Sequence, residues 1–135
     1  VFDKTFIKIL LEIFSEIENI TVAVKSDPII NDACMEDAKQ INMKFHPKID
    51  IITTGTDSIG LFFEKTSKEF KKVWYSRDLI IKKGMGHQET SDYLNLDIPC
   101  PILYLLRIKC DVVAEMVGVN YKDNIAKLFI PEIKK

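Results

Sequence analysis

Apolar residues return at helical spacing along the start of the chain. Phe2, Phe6, Ile9, Leu10, Ile13 and Ile17 fall on one side, and Lys4, Lys8, Glu12 and Glu16 on the other. That stripe predicts an amphipathic helix beginning almost at residue 1. The period then changes to that of a strand. Ile20–Val24 is a short, β-branched run closed by Lys25-Ser26-Asp27-Pro28, where proline forbids continuation of a central strand. Helical spacing resumes with Cys34, Ala38, Ile41 and Phe45, with Glu36 and Asp37 near the N-terminal dipole, and this helix is expected to end before Pro47. Ile49–Thr53 reads as a second buried strand, and Thr54-Gly55-Thr56-Asp57-Ser58 as a polar turn ending in good N-cap residues. Ile59, Phe62, Phe63, Thr66 and Phe70 mark a third helix. Strands are expected at 78–81 and 102–106, and a last helix over 110–117 stopped by Gly118.

Strands alternating with amphipathic helices, joined by connections too long for hairpins, predict an α/β fold. The expected form is a three-layer Rossmann-like domain with a mostly parallel sheet and helices on both faces. A length of 135 residues fits a single domain, 1–135. The stretch 91–101 is irregular and is read as a loop that can move. Lys and Arg number 19 against 20 Asp and Glu, so the net charge of -1 gives no bulk field for nucleic acid or an anionic membrane. No apolar run approaches the ~20 residues of a membrane span. Three widely spaced cysteines and no signal-peptide pattern point to the cytoplasm. The scattered cysteines and the isolated His46 and His87 lack the close pairing of a zinc site. Val1 already lies within the helical pattern and is not Met, so the chain is expected to be part of a longer polypeptide.

In an open parallel sheet the C-terminal ends of the strands share an edge, and the loops that follow them converge on one crevice. Those loops are 25–32, 53–58, 83–89 and 107–111, and they hold the Gly, Asn, Asp, Thr and Lys that the strands lack. Together they describe an anion-binding edge with a carboxylate in it. Asn31 and Asp32 open the second helix. Capping explains one of them, and hard oxygen ligation of Mg²⁺ or Mn²⁺ is the alternative. Gly84-Met85-Gly86 lacks the third glycine of a dinucleotide fingerprint, since Glu89 stands there. Gly55 and Gly60 have P-loop spacing, but Leu61-Phe62 replace the Lys-Ser/Thr that phosphate and Mg²⁺ require. A general phosphate cradle survives: Gly84, Gly86 and the Thr54-Gly55 turn let backbone N–H groups approach closely, and Lys83 and Lys109 supply cationic donors. The bland reading of each lysine is a solvated surface group. No nucleophilic triad is assembled. His46 ends a helix at the surface, while His87 lies in the glycine loop within reach of a ligand. Trp74 and Tyr75 are expected to cover the core, with stacking on a substrate as the alternative.

Three stretches carry a resemblance. They are Val24-Lys25-Ser26-Asp27-Pro28-Ile29-Ile30-Asn31-Asp32-Ala33, Asp78-Leu79-Ile80-Ile81-Lys82-Lys83-Gly84-Met85-Gly86, and Leu105-Leu106-Arg107-Ile108-Lys109-Cys110. In this order the sequence resembles the metal-dependent damage-control phosphatases, nearest to the branch of stand-alone archaeal proteins and the phosphatase domain fused to a pantothenate-kinase-like protein. The resemblance implies hydrolysis of small phosphorylated metabolites such as sugar phosphates or phosphopantetheine-like compounds. It implies a divalent cofactor (Mn²⁺, Ni²⁺, Co²⁺ or Mg²⁺) held by Asp32 with Asn31, and a substrate phosphate faced by Lys83 and Lys109. The family's Asp-Asn-Ala-Gly-Glu segment does not stand before Val1-Phe2-Asp3-Lys4, so the remaining metal ligands are expected from a missing N-terminal portion. His87 and Gln88 replace the family's usual Asn and aromatic residue ahead of Glu89. The competing expectation is a phosphate- or metabolite-binding fragment without catalysis.

Overall fold

The computed structural model describes residues 2–90 and 98–131, so most of the irregular stretch expected at 91–101 lies outside the described residues. The chain divides into two compact units, Val1–Asp57 and Ser58–Lys135. Among the described residues no helix is long and apolar enough to cross a membrane. The fold is α/β, as the alternation of periods predicts.

The first unit runs α1 (Phe2–Ile13), β1 (Ile20–Val24), α2 (Met35–Gln40) and β2 (Ile49–Thr53). β1 and β2 pair in parallel from Ile20 opposite Ile49 to Val24 opposite Thr53. Ile7, Val24, Ala38, Met43 and Ile49 form the core, with Leu11, Val22, Ile41 and Phe45 packed against it. Both helices are shorter than the periodicity predicts. α1 stops at Ile13, which is 66% exposed, because the stripe has by then left the core and further turns would bury little. α2 stops because Asn42 takes a left-handed conformation, φ 48. The N–H of Met43 then donates to the carbonyl of Ala38 at 2.8 Å and that of Asn42 to Lys39 at 3.0 Å, a Schellman closure with Met43 folded back into the core.

The second unit holds a 3₁₀ turn (Phe63–Lys65), α3 (Lys68–Trp74), β3 (Ile80–Lys83), α4 (Met85–Glu89), β4 (Ile102–Arg107), α5 (Asp111–Val117) and β5 (Asn124–Phe129). Its sheet has the order β3-β4-β5, with β3 parallel and β5 antiparallel to β4. Alternate residues of β4 are buried: Ile102, Tyr104 and Leu106. The third helix does not begin at Ile59. Thr66 is extended, and Ser67 caps α3 by accepting from the N–H of Phe70 at 3.0 Å. Trp74 is buried against Phe63 and Phe70, with ring centroids 5.3 and 6.0 Å away, and so covers the core as expected. β3 begins two residues later than the sequence predicts and runs on through Lys83. Neither α4 nor β5 is predicted by the pattern. Two glycines hide the first, and the second is an edge strand whose Asn124, Ala126, Lys127 and Leu128 are exposed.

Candidate functional site

In the first unit, β1 and β2 end together, and the segments after them leave from the same edge. The N–H of Thr54 donates to Val24 at 2.8 Å, and that of Ser26 to Thr56 at 3.3 Å. Thr54 is buried, and its hydroxyl donates to the Thr56 carbonyl at 3.0 Å, closing its own turn around Gly55, whose φ of 76 suits glycine. The other loop is a tight turn in which the N–H of Asp32 donates to Ile29 at 3.0 Å. Its tip, Ile30, is left-handed at φ 50 and 78% exposed, a strained state for a β-branched residue. Asn31 and Asp32 are exposed there. Neither caps α2. Cys34 takes the N-cap position, and its N–H and thiol donate to Asp37 Oδ2 at 2.9 and 3.2 Å. Those donors hold the Asp37 carboxyl below the usual carboxylate range, the backbone N–H contributing most. The capping explanation for Asp32 therefore falls away.

Sequence reasoning assigns no role to Lys25. It is buried at 4% exposure, directly at the end of β1, with Nζ 3.8 Å from Asp32 Oδ2. Burial pulls its pKa below the ordinary lysine value, while the charges of Asp32 and then Asp57 oppose that shift. The available signal was a lysine placed right after a β-branched run and followed by a loop containing two aspartates. The amide and carboxylate oxygens of Asn31 and Asp32 are hard donors of the kind a divalent cation prefers. Among the described residues no three His, Cys, Asp or Glu side chains gather into an ion-holding group. The donors thus fit such an ion in kind and, by themselves, would fill only part of its coordination sphere.

In the second unit, Lys83 lies opposite Leu105 in the parallel β3–β4 pair, and the N–H of Gly84 donates to Leu105 at 2.8 Å. Lys109 follows β4 just before Cys110, the N-cap of α5. Lys83, Gly84 and Lys109 therefore stand at one strand-end edge, and both lysines are exposed. Gly84 has φ 120, and a Cβ there would meet nothing, so glycine serves the backbone and not the space. Gly86, in α4, faces Gly60. A Cβ on Gly60 would lie 2.3 Å from Thr90 Oγ1 and 2.4 Å from the Gly86 carbonyl. The Thr90 hydroxyl donates to Gly86 at 2.8 Å and accepts from the N–H of Leu61 at 2.9 Å. Gly60 is thus a packing glycine. His87 is half-buried in α4, and His46 is half-buried with Nδ1 accepting from the N–H of Lys48 at 3.2 Å.

Lys82 and Lys83 point to opposite faces of β3. Lys82 is buried, with Nζ 5.4 Å from the Trp74 ring centre and 5.5 Å from that of Tyr104. Burial brings its pKa down to about 8.

Comparison with known proteins matches residues 1–125 to the damage-control phosphatase ARMT1-like domain. An uncharacterized protein of Methanocaldococcus jannaschii is 42% identical over 125 residues, 93% of this chain and 40% of that protein. A damage-control phosphatase of Archaeoglobus fulgidus is 36% identical over 129 residues, 94% of this chain and 42% of its own length. The crystal structure of a DUF89 family protein from Pyrococcus horikoshii matches with a TM-score of 0.70 and 33% identity, over 80% of this chain and 36% of that one. The chain spans about 40% of the length of the curated relatives it matches.

Proposed function

Because the chain belongs to the ARMT1-like damage-control phosphatase domain family, we propose that it forms part of a metal-dependent phosphatase of small phosphorylated metabolites. Sugar phosphates and phosphopantetheine-like compounds are the substrate classes in view. The observation that carries this reading is a strand-end edge shared by two exposed lysines, Lys83 at the end of β3 and Lys109 just past the end of β4, its parallel partner. Lys83 and Lys109 bind the phosphate and neutralise the charge that builds on its oxygens during transfer. Asn31 and Asp32 hold a divalent ion, Mn²⁺, Ni²⁺, Co²⁺ or Mg²⁺. When bound, such an ion supplies Lewis-acid charge and lowers the pKa of attacking water. The turn that carries Asn31 and Asp32 is pinned at both ends, by the N–H of Asp32 on Ile29 and that of Lys25 on Ala33 at 2.9 Å, which keeps the carboxylate from drifting.

Phosphate release from a panel of sugar phosphates and phosphopantetheine-like compounds, with each metal in turn, tests the reading. Metal-dependent turnover is expected, with Lys109→Ala raising KM and Asp32→Ala lowering kcat/KM by about 10² or more, as loss of one positioned charge does. Turnover equal with and without metal, or unchanged in Asp32→Ala, overturns it. The second reading, a phosphate-binding fragment without catalysis, is favoured by the incomplete set of ligating side chains among the described residues. Phosphate binding by calorimetry that ignores both metal and Asp32→Ala would select it.

A further inference from the structure

The reading above gives Asp32 to a metal and leaves the buried charge beside it unused. Lys25 cannot swing away. Its backbone N–H is fixed to Ala33 at 2.9 Å, it pairs with Cys34 in a β-bridge, and its stem is buried. Its Nζ lies 3.8 Å from Asp32 Oδ2, too far for an N–H···O hydrogen bond and close enough for a full Coulomb interaction. The oxygens of Asp32 therefore keep lone pairs free for another cation, which would have to bind next to an ammonium that its own chain holds still. Asp57, on the neighbouring loop, also acts on that ammonium, so one lysine balances a carboxylate from each of two loops. An ion about 2.0–2.6 Å from an Asp32 oxygen lies within a few ångströms of Nζ, well inside the ~10 Å over which salt fails to screen.

We propose that Lys25 is a built-in counter-cation of Asp32, one that lowers the affinity of this edge for divalent ions and keeps any bound ion exchangeable. The proposal rests on the reading of Asp32 as a metal ligand, and it assigns Lys25 to tuning that ligand. It predicts the opposite of what a residue that merely orients Asp32 would do, since removing an orienting residue weakens binding.

The test is Mn²⁺ alone titrated into the whole chain, with the free ion followed by its electron paramagnetic resonance signal. Lys25→Met, which keeps the stem and removes the charge, is expected to bind Mn²⁺ at least tenfold more tightly than the wild type, and Lys25→Arg no more than threefold differently. Equal or weaker binding by Lys25→Met overturns the proposal. No binding by either the wild type or Lys25→Met removes the reading of Asp32 itself, a separate failure. Should Lys25→Met lose its cooperative melt, the wild type alone decides. Bound Mn²⁺ is expected to broaden the ε-methylene NMR signals of Lys25 before those of Lys44, which pairs at 3.0 Å with Asp50 near the start of β2. Lys25 signals left sharp at saturation overturn it equally.

Discussion

Gly60 shows how far one missing methyl group can constrain a loop. A side chain there would collide with Thr90 and the Gly86 carbonyl at 2.3–2.4 Å and would also demand φ 69 of an L-residue. Both penalties act together, so Gly60→Ala is expected to cost about 2–4 kcal/mol and to lower the melting temperature by roughly 10 °C. A melt within 2 °C of the wild type would contradict the close packing. Lys82 gives a prediction in pH. Its pKa is about 8 folded, against 10.5 for an unburied lysine. Below pH 8 the folded chain carries a buried charge at full cost. Between about 8 and 10.5 the folded lysine has lost its proton while the unfolded one keeps it, so stability rises with pH across that window. Lys82→Met should therefore be about 1–3 kcal/mol more stable than the wild type at pH 7, after allowance for the lost ring contacts, with the advantage shrinking towards pH 10. Urea unfolding at pH 7, 8.5 and 10 measures this. Parallel curves for the two proteins would show that the ammonium carries no burial cost.

At the scale of elements, α2 is held at both ends by devices that a hydrophobic stripe does not display. Cys34, a poor N-cap by type, works because Asp37 reaches back to it. The Asp37 carboxyl is depressed, so its stabilisation is present above about pH 4 and fades as pH falls through the folded value. Asp37→Asn should melt a few degrees lower at pH 7 and converge on the wild type in acid, by circular dichroism. Asn42 ends the helix at φ 48, where Asn42→Ala should lose about 1 kcal/mol and Asn42→Gly should lose nothing. Periodicity located α1, α2 and β4, which bury a stripe or an alternation, and continuous apolar runs located β1 and β2. The pattern missed β5, whose exposed Lys127 and Leu128 break the alternation, and α4, where Gly84 at the N-cap and Gly86 within the helix read as loop. The helix expected from Ile59 failed for a related reason: Phe63 and Phe70 join Trp74 and Tyr75 in an aromatic cluster, while Ile59 and Phe62 lie exposed, so these residues do not make a stripe on one helix.

At the scale of the whole chain, the alternation of strand and helix was legible because parallel pairing leaves long apolar runs. The four strand-end loops expected on one sheet belong to two, β1-β2 and β3-β4-β5, so that within each unit the loops after the paired strands share an edge. Asn31 with Asp32, and Lys83 with Lys109, were named from their position after strands, and each pair stands at a strand-end edge of its own unit. The role of Lys25 was passed over because a sequence does not say which way a residue at a strand's end turns, although its place after a β-branched run and before two aspartates was a signal. Thr54 was named for an anion, yet its hydroxyl donates within its own turn, a choice made by backbone geometry alone. The edge with Lys83 and Lys109 can be examined without any metal. A ligand that binds only the folded chain stabilises it by RT ln(1 + [L]/Kd), about 2.7 kcal/mol at a hundred times Kd. Inorganic phosphate at low millimolar concentration, against chloride of matched ionic strength, should therefore raise the melting temperature, with each kcal/mol worth roughly 3–6 °C in a chain of this size. The shift should fall at least by half in Lys83→Ala and vanish in the double variant Lys83→Ala/Lys109→Ala. Lys127→Ala, an exposed lysine of β5, removes the same charge from elsewhere on the unit and should keep the shift. If Lys127→Ala loses as much of the shift as Lys83→Ala does, phosphate is responding to net charge, and the strand-end edge has no special hold on it.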